Sequence, residues 1–116
     1  MRRYCLLARI RPERAEEYRA RHAAVWPEML RALHEAGWRR YSLFLAPDGL
    51  LVGYVESDDL DAAQRAMAAT TVNARWQAEM AEFFLPAKDG ALPDEQFTQI
   101  DEVFNLEDQR QKADVT

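Results

Sequence analysis

The sequence predicts a single α+β domain, in which a four-stranded antiparallel sheet carries helices on one face. Three observations support this prediction. The 116 residues, 48% of them hydrophobic, suffice for one core but not for two. Hydrophobic positions alternate in some segments and recur every three to four residues in others. These segments follow the order strand, helix, strand, strand, helix, strand.

The first strand and the helix after it can be read from residues 4–37. Residues 4–10 are apolar on both faces of a strand, so both faces should be covered. A helix is predicted over residues 13–37, with Gly37 as its C-cap. Pro27 lies in the middle and lacks a backbone N–H donor, so the helix should kink or break there.

A hairpin follows this helical region. Residues 38–46 alternate in character, which predicts a strand with Tyr41, Leu43 and Leu45 on one face. Residues 50–56 predict the returning strand, because the intervening Pro-Asp-Gly sequence is a strong turn signal.

Two helices and a last strand complete the domain. Ser57 and Asp58 are predicted to cap one helix, and Thr70 and Thr71 another. The second of these helices places three apolar residues on its inner face: Trp76, Met80 and Phe83.

The C-terminal part of the chain is more polar. Residues 88–95 predict a loop. The last strand should lie within 97–106, most strongly over 102–106. We therefore expect one domain over residues 1–106, followed by a polar tail over 107–116 that is frayed or disordered.

This order of elements is that of the ferredoxin-like split βαβ fold. Helices would cover one face of its sheet and leave an apolar face bare. Packing that face against a second copy would give a dimeric α/β barrel-type assembly, so we expect a homodimer.

Composition narrows the class of ligand. The net charge is −5 and the basic residues are scattered among acids, which argues against nucleic acid, an anionic membrane surface or a polyphosphate as partner. A small neutral ligand is favoured. The only cysteine, Cys5, permits no disulfide within the chain and is expected to be a small buried apolar residue. Arg2 and Arg3 precede too short an apolar run for a signal peptide, so the cytoplasm is the expected location.

Tyr18 and His22 are the most distinctive candidate site residues. They lie one turn apart on one helix face, and histidine is the side chain best suited to proton transfer near neutral pH. Periodicity alone favours simple packing of the pair. Trp76 could stack on a sugar ring, and the hydroxyl of Tyr41 would need a partner when buried, although a core position is the commoner explanation for both.

Other candidates are weaker. Glu28 is suited to a helix N-terminus and could also orient a site group. His34 lies near a helix end and has no predicted catalytic role. Two isolated histidines make a poor metal site, and no glycine-rich phosphate or dinucleotide motif is present.

Residues 21–30 (RHAAVWPEML) resemble the R-H-x-x-[IV]-W-P-E-[LM] segment of the L-rhamnose mutarotase family. Tyr18 precedes the histidine at that family's spacing. Further similarity lies in the hairpin, in Arg75-Trp76 followed by Met80, and in residues 102–106, so that the resemblance spans nearly all of the chain up to residue 106.

The resemblance implies a ferredoxin-like dimer that interconverts the α and β anomers of L-rhamnose without a metal or nucleotide cofactor. It implies that His22 is the proton donor and that Tyr18, Tyr41 and Trp76 contact the sugar. Gln77 departs from the family, which usually has a second tryptophan there. We include Gln77 among the substrate-binding candidates, because its amide could bind a differently oriented hydroxyl.

Three alternatives stay open from the sequence. The first is a mutarotase for another deoxy-hexose such as L-fucose, which Gln77 would allow. The second is a non-catalytic sugar-binding module. The third is a cofactor-free monooxygenase or a haem-handling enzyme, since the same fold hosts both and fold alone does not decide function.

Overall fold

Four antiparallel strands form the sheet of the computed structural model, which describes residues 1–85, 91 and 93–113. They are β1 (Arg2–Arg9), β2 (Arg39–Leu45), β3 (Leu50–Ser57) and β4 (Thr98–Ile100). Their order in the sheet is β2-β3-β1-β4, and every neighbouring pair is antiparallel. This arrangement confirms the predicted α+β fold of the split βαβ type.

Five α-helices are present in the described part of the chain. They are α1 (Ala15–His22), α2 (Pro27–Ala36), α3 (Leu60–Ala68), α4 (Thr71–Met80) and α5 (Leu106–Ala113). Short 3₁₀ turns occur at Pro12–Arg14, Ala81–Phe83 and Pro93–Glu95. No described helix has the length and apolar character needed to cross a bilayer.

The predicted break at Pro27 is confirmed. Helix α1 ends at His22, and α2 begins at Pro27 itself, where a missing N–H donor costs nothing. Gly37 ends α2 in the left-handed conformation with φ 107°. The backbone N–H of Trp38 then donates to the carbonyl of Leu33 at 3.0 Å, which closes the last turn.

The two faces of the sheet differ in cover. On the helix side, Leu51 and Val55 are fully buried, and they continue the layer of buried residues contributed by β1. On the other side Phe44 is 61% exposed and Cys5 and Leu7 are only partly buried. The expectation that Cys5 is buried is therefore wrong for a single chain, because no buried layer covers this face.

The C-terminal region differs most from the sequence prediction. Strand β4 is only three residues long, and residues 101–105 form no strand, although the prediction was strongest there. Residues 107–113 were expected to be a frayed tail but belong to α5. Arg3 on β1 forms ion pairs with Glu102 and Asp108, and these pairs attach the segment to the sheet.

The helix caps agree in part with the prediction. Thr70 caps α4 as expected, since its hydroxyl accepts from the backbone N–H of Asn73 at 3.2 Å. The cap of α3 is Asp59 and neither Ser57 nor Asp58, because the Asp59 carboxylate accepts from the N–H of Ala62 at 3.1 Å.

Candidate functional site

One cavity of about 870 Å³ lies between the helices and the covered face of the sheet. Its volume is in the range of small-molecule sites. All five residues named as site candidates line it: Tyr18, His22, Tyr41, Trp76 and Gln77. The fold therefore brings together side chains from α1, β2 and α4 that are far apart in the sequence.

Tyr18 and His22 form a stacked pair at the end of α1. Their ring centroids are 4.1 Å apart with 27° between the planes. His22 Nδ1 lies 3.0 Å from the backbone carbonyl oxygen of Tyr18. Since a carbonyl oxygen only accepts, Nδ1 carries the proton in the neutral ring and Nε2 keeps its lone pair. The stack and this hydrogen bond fix both the orientation and the tautomer of His22.

Burial sets the protonation of these groups. It lowers the pKa of His22 below its ordinary value, an effect that the backbone hydrogen bond only partly offsets. Burial also raises the pKa of Tyr18 and of Tyr41, and the negative charge of Asp94 raises that of Tyr41 further. Near neutral pH the cavity therefore presents a mostly neutral imidazole and two protonated phenols.

Trp76 stands between His22 and the Trp-Pro-Glu segment. Its ring meets that of His22 edge-to-face at 5.4 Å and that of Trp26 at 5.1 Å. The guanidinium of Arg75 lies 5.6 Å from the Trp26 ring centroid and pairs with Glu28 at 3.1 Å. Arg75 and Trp76 of α4 thus pack on the Trp-Pro-Glu segment at the start of α2. Glu28 is not among the residues that line the cavity, and its exposed ion pair with Arg75 contributes little energy by itself.

Gln77 is 8% exposed and belongs to a chain of polar side chains. Its Nε2 donates to Asn73 Oδ1 at 3.0 Å, and Asn73 Nδ2 donates to Asp94 Oδ2 at 3.1 Å. The amide hydrogens of Gln77 are thus partly engaged inside the protein, and the idea that Gln77 binds a sugar hydroxyl directly stays a prediction.

Asn73 and Asp94 are site residues that sequence reasoning missed. Both line the cavity. Asn73 faces inward because it lies one turn before Gln77 on α4, a spacing visible in the sequence. Asp94 gave no such signal, since it lies in a polar segment between a glycine and the last strand.

The charged groups of the cavity suit a neutral ligand. Among the residues that the structure describes, three carboxylates line it (Asp61, Asp94 and Glu95), against one guanidinium, Arg65. Such a balance disfavours an anionic ligand. Among the described residues no group of three or more His, Cys, Asp or Glu side chains is placed to hold a metal ion.

Comparison with known proteins identifies the family. The model of the L-rhamnose mutarotase family matches residues 3–106. The chain belongs to the L-rhamnose mutarotase family. Members of this family are isomerases. Relatives include L-rhamnose mutarotases of Sinorhizobium fredii and Bacillus subtilis, each 39% identical. The first match covers 71% of this chain and 79% of the relative, and the second covers 70% and 78%.

Solved structures confirm the fold. The crystal structure of an L-rhamnose mutarotase from Formosa agariphila has a TM-score of 0.75 at 20% identity, and the match covers 91% of this chain and 99% of that one. Tetracenomycin F2 cyclase from Streptomyces glaucescens, a type-II polyketide cyclase, has a TM-score of 0.63 at 21% identity over the same fractions. At these identities the likeness concerns the fold alone, which serves more than one chemistry.

Proposed function

We propose that this chain interconverts the α and β anomers of L-rhamnose, with His22 as the group that transfers the proton. The observation that carries the proposal is the fixed state of His22. The ring is stacked on Tyr18, its Nδ1 is bound to a backbone carbonyl, and it lines the cavity beside Trp76. Membership in the L-rhamnose mutarotase family supports the choice of reaction and sugar.

The mechanism follows from the neutral imidazole. Nε2 of His22 takes the proton of the anomeric hydroxyl, and the resulting imidazolium gives it to the ring oxygen as the ring bond breaks. The aldehyde group then rotates, and the same steps in reverse close the ring on the other face. One histidine can serve as base and then as acid, because both oxygens are bonded to the same carbon. Proton transfer of this kind contributes about a hundred- to ten-thousandfold.

The remaining predicted residues bind the sugar in this proposal. Trp76 offers an indole face for the apolar side of the ring, and the protonated phenols of Tyr18 and Tyr41 can donate to sugar oxygens. Fixing the sugar against His22 matters because a misplaced reacting group loses much of the benefit of proximity.

A mutarotase for another deoxy-hexose such as L-fucose is the second candidate. The observation that favours it is the identity of residue 77. Gln77 places a polar amide in the cavity lining, hydrogen-bonded to Asn73, where the family usually has a second indole. An indole contacts apolar ring faces, whereas amides and carboxylates bind hydroxyls. The sugar-binding module and the monooxygenase have no comparable observation in their favour.

Saturation-transfer proton NMR tests both the reaction and the sugar. The anomeric signals of L-rhamnose and then of L-fucose are compared with and without protein. Faster exchange of L-rhamnose is expected. Faster exchange of L-fucose alone would move the proposal to the second candidate, and binding without faster exchange would favour the non-catalytic module.

We also propose that the active form is a cytoplasmic homodimer. On the face of the sheet opposite the main helical layer, Phe44 is 61% exposed, and Ile100, Val103 and Phe104 are also exposed, by 44%, 93% and 59%. Apolar surface of this extent marks interaction sites, and a second copy would cover it. A single cysteine is compatible with a reducing compartment.

A further inference from the structure

One carboxylate oxygen of Asp94 is buried without a hydrogen-bond partner in the described part of the chain, and the packing of the fold does not explain this. Its Oδ1 is shielded from solvent and has no hydrogen-bond partner among the residues that the structure describes. A buried acceptor without a partner destabilises a protein, and a charged one does so more strongly. In native structures such an atom requires an explanation, and a functional role is one of the few available.

The neighbours of Asp94 hold it in place. A carboxylate only accepts, so Asn73 must turn its amide nitrogen toward Asp94 Oδ2. Asn73 then presents its oxygen to Gln77, which must supply its own amide nitrogen. The Asp94 carboxylate therefore determines which group donates and which accepts in each hydrogen bond of this series. Asn73 and Gln77 are both buried on α4, so the Asp94 carboxylate is tied to a rigid helix.

The position of Asp94 relates it to the catalytic group. Asp94 lines the same cavity as Tyr41 and His22. Its charge is close enough to raise the pKa of the Tyr41 phenol, and Tyr41 is close enough to affect that of Tyr18, whose ring stacks on His22. One cavity thus holds an imidazole, a carboxylate and two phenols.

We propose that Asp94 is a substrate-binding residue whose Oδ1 accepts a hydrogen bond from a hydroxyl of the sugar, at a distance from the anomeric centre. The proposal rests on the proposed function and deepens it by naming a specificity-determining contact. A sugar hydroxyl is the donor that fits, because it is neutral and can donate while its own oxygen accepts elsewhere. A sugar acid would be rejected, since a second carboxylate beside Asp94 would be repelled.

The Asp94→Asn variant tests the proposal, because asparagine keeps an oxygen for Asn73 and replaces Oδ1 with an amide nitrogen. Hydrogen bonds to charged groups are stronger than those between neutral groups, so KM and the dissociation constant for L-rhamnose should rise roughly tenfold. The kcat value should stay within about twofold. Without sugar, Tm should be unchanged or higher, since a buried unpaired charge is removed. Asp101→Asn removes the same charge from an exposed residue outside the cavity lining and serves as the control.

Several results of this experiment would overturn the proposed role of Asp94. Asp94→Asn with a wild-type KM would overturn the proposal, and so would a lower Tm with unchanged affinity, which is the result of a purely structural role. A large fall in kcat at constant KM would also overturn it, because Asp94 would then transfer protons. If the wild-type chain binds L-fucose and not L-rhamnose, the proposed sugar fails while the same comparison on L-fucose still tests Asp94. If it binds neither, both proposals are refuted.

Discussion

Replacing His22 with asparagine removes the proton-transferring nitrogen while disturbing the fold little. The asparagine amide can still donate to the Tyr18 carbonyl, which now receives the Nδ1 proton at 3.0 Å. No atom takes the place of Nε2, so we expect kcat to fall by about a hundred- to ten-thousandfold. That loss corresponds to about 3–5 kcal/mol of transition-state stabilisation.

The same substitution should cost little stability. The main loss is the 4.1 Å stack on Tyr18, and an aromatic pair contributes about 1 kcal/mol. For a domain of this size that lowers Tm by roughly 4 °C. His34→Asn is the matched histidine control. His34 is exposed near the end of α2 and lines the same cavity, but it takes no part in the stack on Tyr18 or in the edge contact with Trp76.

Anomer exchange rates from saturation-transfer NMR and thermal melts measure the two effects separately. The expected pattern is a folded His22→Asn variant with almost no catalysis and a His34→Asn variant with the wild-type rate. A His22→Asn variant that keeps its rate within about twofold would refute the assignment of His22.

Three further predictions concern pH, sugar binding and assembly. Because burial lowers the pKa of His22 and the neutral ring takes the first proton, the midpoint of the acidic decline of kcat/KM should lie below pH 6.5; a midpoint above that value would contradict this order of steps. Tyr41→Phe removes a donor from the cavity and should raise KM for L-rhamnose roughly tenfold with little change in Tm, as steady-state kinetics and melts can check. Wild-type protein should sediment as a dimer and Phe44→Glu as a monomer of unchanged fold, since Phe44 is 61% exposed on the bare face; a monomeric wild type would exclude the dimer.

Much of the fold was predictable because local signals and packing agree. Alternation in β2, the break at Pro27 and the Gly37 cap each have a physical cause within a few residues. The strand predicted over 102–106 had suitable residues, but β4 pairs only with Cys5, Leu6 and Leu7 before the chain leaves the sheet edge. Propensity does not reveal where a partner strand ends.

Helix α5 was missed for a different reason. Its sequence is too polar to show an apolar face, so only its terminal signals could have revealed it. Asn105 Oδ1 accepts from the N–H of Asp108 at 3.0 Å, and Arg110 pairs with Glu107 at 3.1 Å. Acidic residues at its start and basic ones at its end also match the helix dipole.

The candidate site was predictable where residues share a helix face or a known motif. Tyr18 and His22 are one turn apart, and the Trp-Pro-Glu segment marks the helix that Trp76 packs on. Asp94 could not be found, because its closeness to Asn73, 21 positions earlier, arises only from the way the turn at Pro93–Glu95 packs on α4.

Polarimetry on a single anomer of L-rhamnose tests the central claim most directly. Crystalline α-anomer is dissolved, and the optical rotation is followed with catalytic amounts of the wild-type chain and without it. The account predicts a faster approach to the same final rotation, since a catalyst changes the rate and not the equilibrium. An approach that is no faster than in buffer would contradict the assignment of this chain as an L-rhamnose mutarotase.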